Sequence, residues 1–165
     1  MKLILFISIF LLFASPILAQ DYEKSIGVTM GSSRSIFLDV PNDELSSYRF
    51  MIQRRDRGYT FTALKIFRRY DIAQLPDYIS LYYGYGLHGG VVGWKETTNK
   101  DRWNENTVDY SSPVFGLDGI IGLSYAIEKT ALAINCDTKP FFEFGGPRLF
   151  RVSPFYFSLG ATLTF

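Results

Sequence analysis

The stretch that decides the fold is PFYFSLGATLTF, residues 154–165. Apolar residues occupy every second position of this stretch, and polar residues, glycine or tyrosine lie between them. Successive side chains of an extended strand point to opposite faces, so this alternation predicts a β-strand with one apolar face and one polar face. The apolar face consists of Phe155, Phe157, Leu159, Ala161, Leu163 and Phe165.

This ending resembles the C-terminal strand of bacterial outer-membrane β-barrel proteins. In that class the terminal Phe and the alternating residues before it serve as the assembly signal. The resemblance implies the same role here for four residues, Phe157, Leu159, Leu163 and Phe165. It also implies two partners, the outer-membrane lipids and the barrel-assembly machinery.

The first 19 residues have the parts of a secretory signal peptide: the basic residue Lys2, an apolar run over residues 3–13, and the small residue Ala19 before the cleavage site. We expect cleavage after Ala19, which leaves residues 20–165 as one barrel domain; an uncleaved anchor helix is the alternative. Cleavage removes Lys2 from the 17 basic residues, so the 16 acidic residues are then balanced. A neutral chain gives no electrostatic argument for nucleic-acid binding.

The composition limits the class of protein. After residue 19 no stretch approaches the ~20 apolar residues that a spanning helix needs. A mature chain in a membrane must then be a closed barrel, because only helices and closed sheets satisfy all backbone groups in lipid. The single cysteine, Cys136, excludes an internal disulfide, and one histidine with scattered carboxylates offers no metal-ligand spacing, so no cofactor or metal is expected.

Eight strand-like runs follow the signal: residues 25–31, 35–40, 47–54, 59–70, 79–94, 114–127, 131–144 and 154–165. They predict an all-β, eight-stranded antiparallel up-and-down transmembrane β-barrel. Two runs break the pattern. Pro41 ends the second run early, and Lys65 falls on the apolar side of the fourth, which indicates either a β-bulge or a lysine that snorkels to an interface. Residues 95–112 are polar, with no strand pattern.

Residues 116–125, GLDGIIGLSY, and residues 134–141, INCDTKPF, form a hairpin-like unit around a short turn. This unit looks like the penultimate hairpin of the small porin-like outer-membrane β-barrel proteins of Gram-negative bacteria, and the whole mature chain resembles that group. The resemblance implies an eight-stranded barrel without established catalytic residues, and none is carried over.

The polar faces of the runs predict the lining of the barrel. An eight-stranded barrel is just wide enough for its interior to be filled by side chains. We therefore expect a hydrogen-bonded polar plug and no open channel, although the inward glycines would also suit a ligand tunnel. The predicted lumen network is Arg49, His88, Asp118, Asn135, Asp137, Lys139 and Glu143.

These features favour a non-enzymatic integral outer-membrane barrel with a plugged polar lumen, whose external loops would carry either a surface interaction or an envelope-structural role. Residues 95–112 combine charge clusters with Trp103, a usual anchor type in recognition, which makes Trp103 the contact candidate for an unidentified extracellular ligand. The alternative is that this segment is only a solvated connection.

Two other functions remain open. In a lipid-modifying outer-membrane enzyme, His88 would act as general base with an inward serine and either Asp118 or Asp137. A soluble, lipocalin-like periplasmic carrier would instead reverse the faces, with apolar residues inside and charges outside.

We predict that deleting Phe165, or replacing it with Asp, lowers the amount of membrane-inserted protein while secretion is unchanged, because the terminal alternation is the implied assembly signal. The measurement is the yield of protein that fractionates with the outer membrane and shifts on unheated gels. Equal yields of heat-modifiable barrel from the native and altered chains would contradict the prediction.

Overall fold

The computed structural model describes residues 23–70, 76, 78–101, 104–147 and 149–165. The predicted signal peptide, residues 1–19, and Trp103 lie outside the described residues. Across the described ranges, no helix combines the length and the apolar character needed to span a membrane.

Ten strands form one antiparallel sheet: β1 Ser25–Gly31, β2 Arg34–Asp43, β3 Ser46–Arg55, β4 Gly58–Arg69, β5 Ile79–Asp101, β6 Asn104–Ala126, β7 Leu132–Thr138, β8 Phe141–Gly145, β9 Phe150–Ser153 and β10 Phe157–Thr164. Both β7 and β8 pair with β6, while β10 pairs with β7 and β9 with β8. β7 and β8 are therefore two parts of one interrupted strand, and β9 and β10 are two parts of another. Pairing of β1 with β10 closes the sheet. The predicted fold, an eight-stranded antiparallel up-and-down β-barrel, is confirmed.

The two faces of the barrel wall alternate as the sequence predicts. On β1, Ile26, Val28 and Met30 are exposed, whereas Ser25 and Thr29 are buried. The same pattern holds on the other strands, and far more large apolar side chains lie exposed on the outside than buried inside. This is the reverse of the arrangement that a lipocalin-like carrier needs.

The fourth predicted run contains no bulge. The pairing of β3 with β4 is unbroken from Ser46↔Phe67 to Arg55↔Gly58. Lys65 therefore points outward, and its Nζ lies 5.5 Å from the ring centre of Phe67 and 5.9 Å from that of Tyr48. The outward lysine is explained by contact between its stem and head group and neighbouring aromatic rings.

The alternation at Lys65 places two apolar residues inside the barrel. Leu64 and Ile66 are buried, and with Tyr82 and Ile120 they form an apolar cluster. Of the two explanations offered for Lys65, the absence of a bulge leaves the outward lysine, with Leu64 and Ile66 on the inward face. The interior therefore consists of polar clusters with an apolar region between strands β4, β5 and β6.

Several strand boundaries differ from the prediction. Pro41 does not end β2, which continues to Asp43 with a register shift between Pro41 and Asp43, a position where proline is tolerated. The seventh run is interrupted at Lys139 and Pro140, because Pro140 has no N–H to donate. Hydrogen bonds from Lys139 N to Tyr156 O (3.0 Å) and from Gly119 N to Pro140 O (2.8 Å) hold the wall together there.

In the polar stretch predicted to have no strand pattern, residues 95–101 and 104–112 are paired β-strand, which corrects that prediction. Pairing of β5 with β4 ends at Val91, and pairing of β6 with β8 ends at Val114. Beyond these points β5 and β6 pair with each other as far as Asp101↔Asn104. At about 3.3 Å per residue this two-stranded ribbon extends roughly 30 Å past the neighbouring strands.

Inward glycines lie directly across from large inward rings. Gly122 is paired with Tyr82, Gly116 with His88, and Gly27 with Phe37. A Cβ atom on Gly122 would lie 2.6 Å from Tyr82 Cζ and 2.6 Å from the Cβ of Asp137. The absence of a side chain at Gly122 therefore allows the Tyr82 ring to lie across the sheet.

We predict that Gly122→Ala lowers the free energy of unfolding by about 1–3 kcal/mol, the usual cost of overpacking a filled interior. The matched control is Gly89→Ala: the nearest atom to its new Cβ is Val114 O at 3.8 Å, so little change is expected. Urea unfolding of the refolded barrel measures both. Equal effects would mean that the Tyr82 contact does not limit residue size at Gly122.

Candidate functional site in the barrel interior

The buried charged residues form two clusters at different heights in the barrel. The terminus end of the barrel is where β1 begins and Phe165 ends, and the loop end is where the β1–β2, β3–β4 and β5–β6 turns lie. The His88 cluster, nearer the loop end, consists of Gln53, Arg55, His88, Asp118, Lys139 and Glu143. The Arg49 cluster, nearer the terminus end, consists of Asp39, Arg49, Arg68, Tyr82 and Asp137.

His88 lies between two carboxylates. Its Nδ1 is 2.9 Å from Asp118 Oδ1, and its Nε2 is 3.1 Å from Glu143 Oε2. A carboxylate only accepts, so both contacts are hydrogen bonds when both ring nitrogens carry a proton. The Phe141 ring packs edge-on against the imidazole, with 5.8 Å between the two ring centres. These contacts fix the orientation of the ring.

Two cations from distant strands complete the His88 cluster. Arg55, at the end of β3, donates to Glu143 Oε2 on β8, and its guanidinium lies 4.6 Å from the ring centre of Phe141. Lys139 Nζ donates to Gln53 Oε1 and lies 3.7 Å from Asp118 Oδ2. The cluster therefore joins β3, β5, β6 and the interrupted strand β7–β8 across the lumen.

The Arg49 cluster is built on a bidentate ion pair. Arg49 Nε donates to Asp39 Oδ1 at 2.7 Å, and Arg49 Nη2 donates to Asp39 Oδ2 at 2.9 Å. Arg68 Nη2 also donates to Asp39 Oδ2, at 2.8 Å. The Arg49 guanidinium lies 4.0 Å from the ring centre of Phe37 and 5.2 Å from that of Tyr82. Fork geometry and ring stacking together select arginine at this position over lysine.

Tyr82 extends the Arg49 cluster to the far wall. Its hydroxyl donates to Asp137 Oδ2 at 2.6 Å, and Ser158 donates to Asp137 Oδ1. Asn135 lies apart, where its amide donates to Thr162 Oγ1. Of the seven lumen residues named from the sequence, the structure groups His88, Asp118, Lys139 and Glu143 in one cluster and Arg49 with Asp137 in the other.

Several members of these clusters are absent from the lumen network predicted from the sequence. Asp39 and Gln53 share the inward parity of the named residues, so the alternation alone could have included them. Arg55 lies just past the predicted run 47–54, and nothing local separates it from Arg54 and Arg57; its partner Glu143 is 88 positions away. Tyr82 lies on the inward face, but its contact with Asp137 depends on how the barrel closes.

The arrangement around His88 does not resemble a hydrolase triad. Both ring nitrogens face carboxylates, so neither faces a serine hydroxyl in the described part of the chain. Ser80, Ser124 and Ser158 have the inward parity that a serine nucleophile would need, but Ser80 and Ser124 are opposite each other on β5 and β6, and Ser158 donates to Asp137. A general base needs a free nitrogen toward its nucleophile. Among the described residues, no group of three or more His, Cys, Asp and Glu side chains could hold a metal ion.

A cavity of about 530 Å³ lies at the loop end, with Glu143 of the His88 cluster in its lining. Asp56, Arg57, Trp94 and Arg151 also line it. Arg151 Nη1 donates to Asp56 Oδ2 at 2.7 Å, and the Trp94 ring stacks on Tyr110 at 5.8 Å. Charged and aromatic groups therefore surround the cavity at the base of the ribbon.

Comparisons with known proteins found a similarity among solved structures. No protein-family model matches the sequence, and a search of curated proteins found no match. Among solved structures, the chain is similar to the N-terminal β-barrel domain of Pseudomonas aeruginosa OprF, with a TM-score of 0.45 and 10% sequence identity over 87% of this chain and 96% of that chain. A similarity at this level does not bear on function.

We predict that Lys139→Met, with Asp118 kept, lowers the free energy of unfolding by ~3–5 kcal/mol, because it leaves a carboxylate buried without its cation. Denaturant unfolding of the refolded barrel is the measurement. The control is Lys95→Met, since Lys95 lies 3.6 Å from Asp109 but both side chains are exposed, and little change is expected there. Unchanged stability in Lys139→Met would mean that Lys139 and Asp118 do not share a desolvated site.

Proposed function

We propose that this protein is a non-enzymatic integral outer-membrane β-barrel with a plugged polar lumen, and that its surface interactions are carried by the external loops. The observation that carries the proposal is the distribution of polarity across the wall. Apolar side chains cover the outside, and the buried charged residues lie inside.

The exterior supports a membrane location. Neighbouring strands present large apolar side chains to the outside in continuous rows, including Tyr85, Leu87, Phe115, Leu117 and Phe142. Monomeric soluble proteins rarely expose apolar patches larger than a few hundred Å². Closure of the sheet removes the open edges that lipid would not tolerate. The predicted signal peptide and the terminal Phe165 favour the outer membrane as the destination.

The interior supports a closed lumen. Arg55 and Glu143 meet across the barrel, and Arg49 stacks between Phe37 and Tyr82. These side chains are almost fully buried, so they occupy the lumen at two heights. A buried ion pair that loses one partner is strongly destabilised, which opposes spontaneous separation of the charges. We therefore infer at most very small ion conductance.

The ribbon supports a surface role. Past Val91 and Val114 the paired strands leave the wall, although Gly93 N still donates to Asp56 O at 2.8 Å. Beyond Gly93, both outer edges of the ribbon have unpaired backbone groups in the described pairings. Edges of this kind can accept another strand. At its base, Tyr110 and Val108 are exposed. The ribbon is the part of the described chain that we assign to an extracellular ligand. The contact candidate Trp103 belongs to the same stretch of sequence, residues 95–112, but lies outside the described residues.

The enzyme alternative receives no support from the geometry of His88, whose nitrogens both face acidic groups. A lipid-modifying enzyme also needs its catalytic groups reachable from the outer face, whereas His88 is buried in the lumen.

We predict that the mature barrel, reconstituted in planar bilayers, gives no steady current of the size that general porins give, because the two clusters fill the lumen. A lipid-hydrolysis assay on the same preparation is expected to show no turnover, with His88→Ala as the control. Steady porin-like currents would overturn the plugged lumen. Lipid turnover that is lost in His88→Ala would replace the proposal with the enzyme alternative.

A further inference from the structure

We propose that the outer surface of β1–β4 binds one lipid that carries a phosphomonoester, with the phosphate at Arg34 and Arg54 and an acyl chain in the adjoining groove. The inference rests on the proposed function, because only a barrel embedded in a membrane presents this surface to lipid.

Arg34 and Arg54 form a pair of like charges on the outer surface. They are directly opposite each other in the pairing of β2 with β3, and both are exposed. Side chains in such positions start from Cβ atoms about 4.5–5.5 Å apart, and like charges there destabilise the sheet. An anion between the two guanidinium groups would remove that repulsion.

The other arginines with described ion pairs are neutralised within the protein. Arg49 and Arg68 pair with Asp39, Arg55 pairs with Glu143, and Arg151 pairs with Asp56. Among the described residues, neither Arg34 nor Arg54 pairs with a carboxylate. Their positive charge is therefore available to a ligand.

An apolar groove begins at the same two arginines. It has a volume of about 550 Å³, and Arg34 and Arg54 line it together with apolar side chains of β1–β4. Outward residues that are paired across neighbouring strands form rows over the sheet. The two rows next to the arginine pair line the groove with Ile26, Val28, Ile36, Leu38, Phe50, Ile52 and Phe61.

The register sets the distances between the charges and the apolar rows. Ile36 and Ile52 are opposite each other two positions along from the arginine pair, and Leu38 and Phe50 are opposite each other two positions further. Two residues of an antiparallel strand span about 6.8 Å. Apolar contact is therefore offered at roughly 7 and 14 Å from the charges, along the direction in which an acyl chain would run.

The chemistry of the two parts identifies the ligand. Two guanidinium forks match the oxygen geometry and the double negative charge of a phosphomonoester better than a single cation does. A free phosphate would use only the arginines and would leave the groove unfilled. The groove and the charges together therefore specify a phosphorylated lipid. The pair lies toward the loop end of the apolar surface. With the ribbon external, as the proposed function has it, this is the level of the lipid head groups.

The test uses the full mature chain inserted in phosphatidylcholine nanodiscs, with bound lipid measured by native mass spectrometry. Three probes separate the parts of the ligand: phosphatidic acid carries chain and phosphate, diacylglycerol carries the chain alone, and glycerol 3-phosphate carries the phosphate alone. The variants are Arg34→Gln with Arg54→Gln, Ile52→Trp to fill the groove, and Arg69→Gln as control. Arg69 is an exposed residue of β4 near the terminus end.

We expect phosphatidic acid to be retained in preference to diacylglycerol, and the double arginine variant to lose about tenfold in retention, since it removes charge-assisted hydrogen bonds. Ile52→Trp should weaken retention of phosphatidic acid, and Arg69→Gln should leave it unchanged. Equal retention of phosphatidic acid and diacylglycerol, or equal losses in the double variant and Arg69→Gln, would overturn the inference.

Displacement of phosphatidic acid by equimolar glycerol 3-phosphate would also overturn the inference, because the site would then be one for a free phosphate. Each variant is first checked for its shift on unheated gels. A native chain that fails to insert overturns the proposed function, and this inference with it. A chain that inserts normally without preferring phosphatidic acid overturns this inference alone.

Discussion

The pairing of β1 with β10 is the constraint on which the rest of the structure depends. It runs from Ser25↔Thr164 to Gly31↔Ser158 and converts an open meander into a closed barrel. The register also aligns the faces across the seam, since Val28 meets Ala161 and Met30 meets Leu159 on the outside. A slip of one residue would turn every side chain of one strand to the wrong face. Closure therefore maintains both the apolar exterior and the polar interior.

Closure creates a narrow interior, and the side chains that fill it are matched in size across the wall. Long residues of β3, Arg49 and Arg55, reach towards the opposite side, while glycines of β6 leave room for Tyr82 and His88 on β5. Each buried cation has an acidic partner, which offsets the cost of removing charge from water. The same contacts are the basis of the proposal that the lumen is plugged.

β5 and β6 form part of the barrel wall and then continue as the ribbon, and the two parts differ in whether neighbouring strands are paired with them. Up to Val91 and Val114, β5 and β6 are paired on both sides, with one face outward and one face inward. Beyond these residues they pair with each other, and in the described part of the chain the remaining backbone contact with a neighbour is the hydrogen bond from Gly93 N to Asp56 O. The distinction between lumen and exterior ends there. Polar sequence is compatible with strand structure there because cross-strand hydrogen bonds do not require an apolar face. We accordingly propose that recognition belongs to the ribbon and the outer surface, and that the lumen chiefly supports stability.

The sequence by itself determined the class of fold and the direction of most side chains. Alternation has a period of two residues and is read within one strand, so Asp118, Lys139 and Glu143 could be placed inside without knowing their partners. It also determined the turns between β3 and β4 and between β6 and β7, where Gly58 and residues 128–130 interrupt the pattern.

The tertiary structure alone decided which inward residues meet. Arg55 contacts Glu143, and Asn135 is separated from the other named residues, because these relations follow from strand register and closure between distant parts of the chain. Lys65 is a second example. Its outward position agrees with the alternation of β4 because its neighbours Leu64 and Ile66 pack with Tyr82 and Ile120 inside the barrel, a contact that the sequence alone does not show. The alternation of apolar and polar residues did not predict the ribbon, because its two strands are stabilised by pairing with each other and not by an apolar face. Local alternation carries no information about such partners.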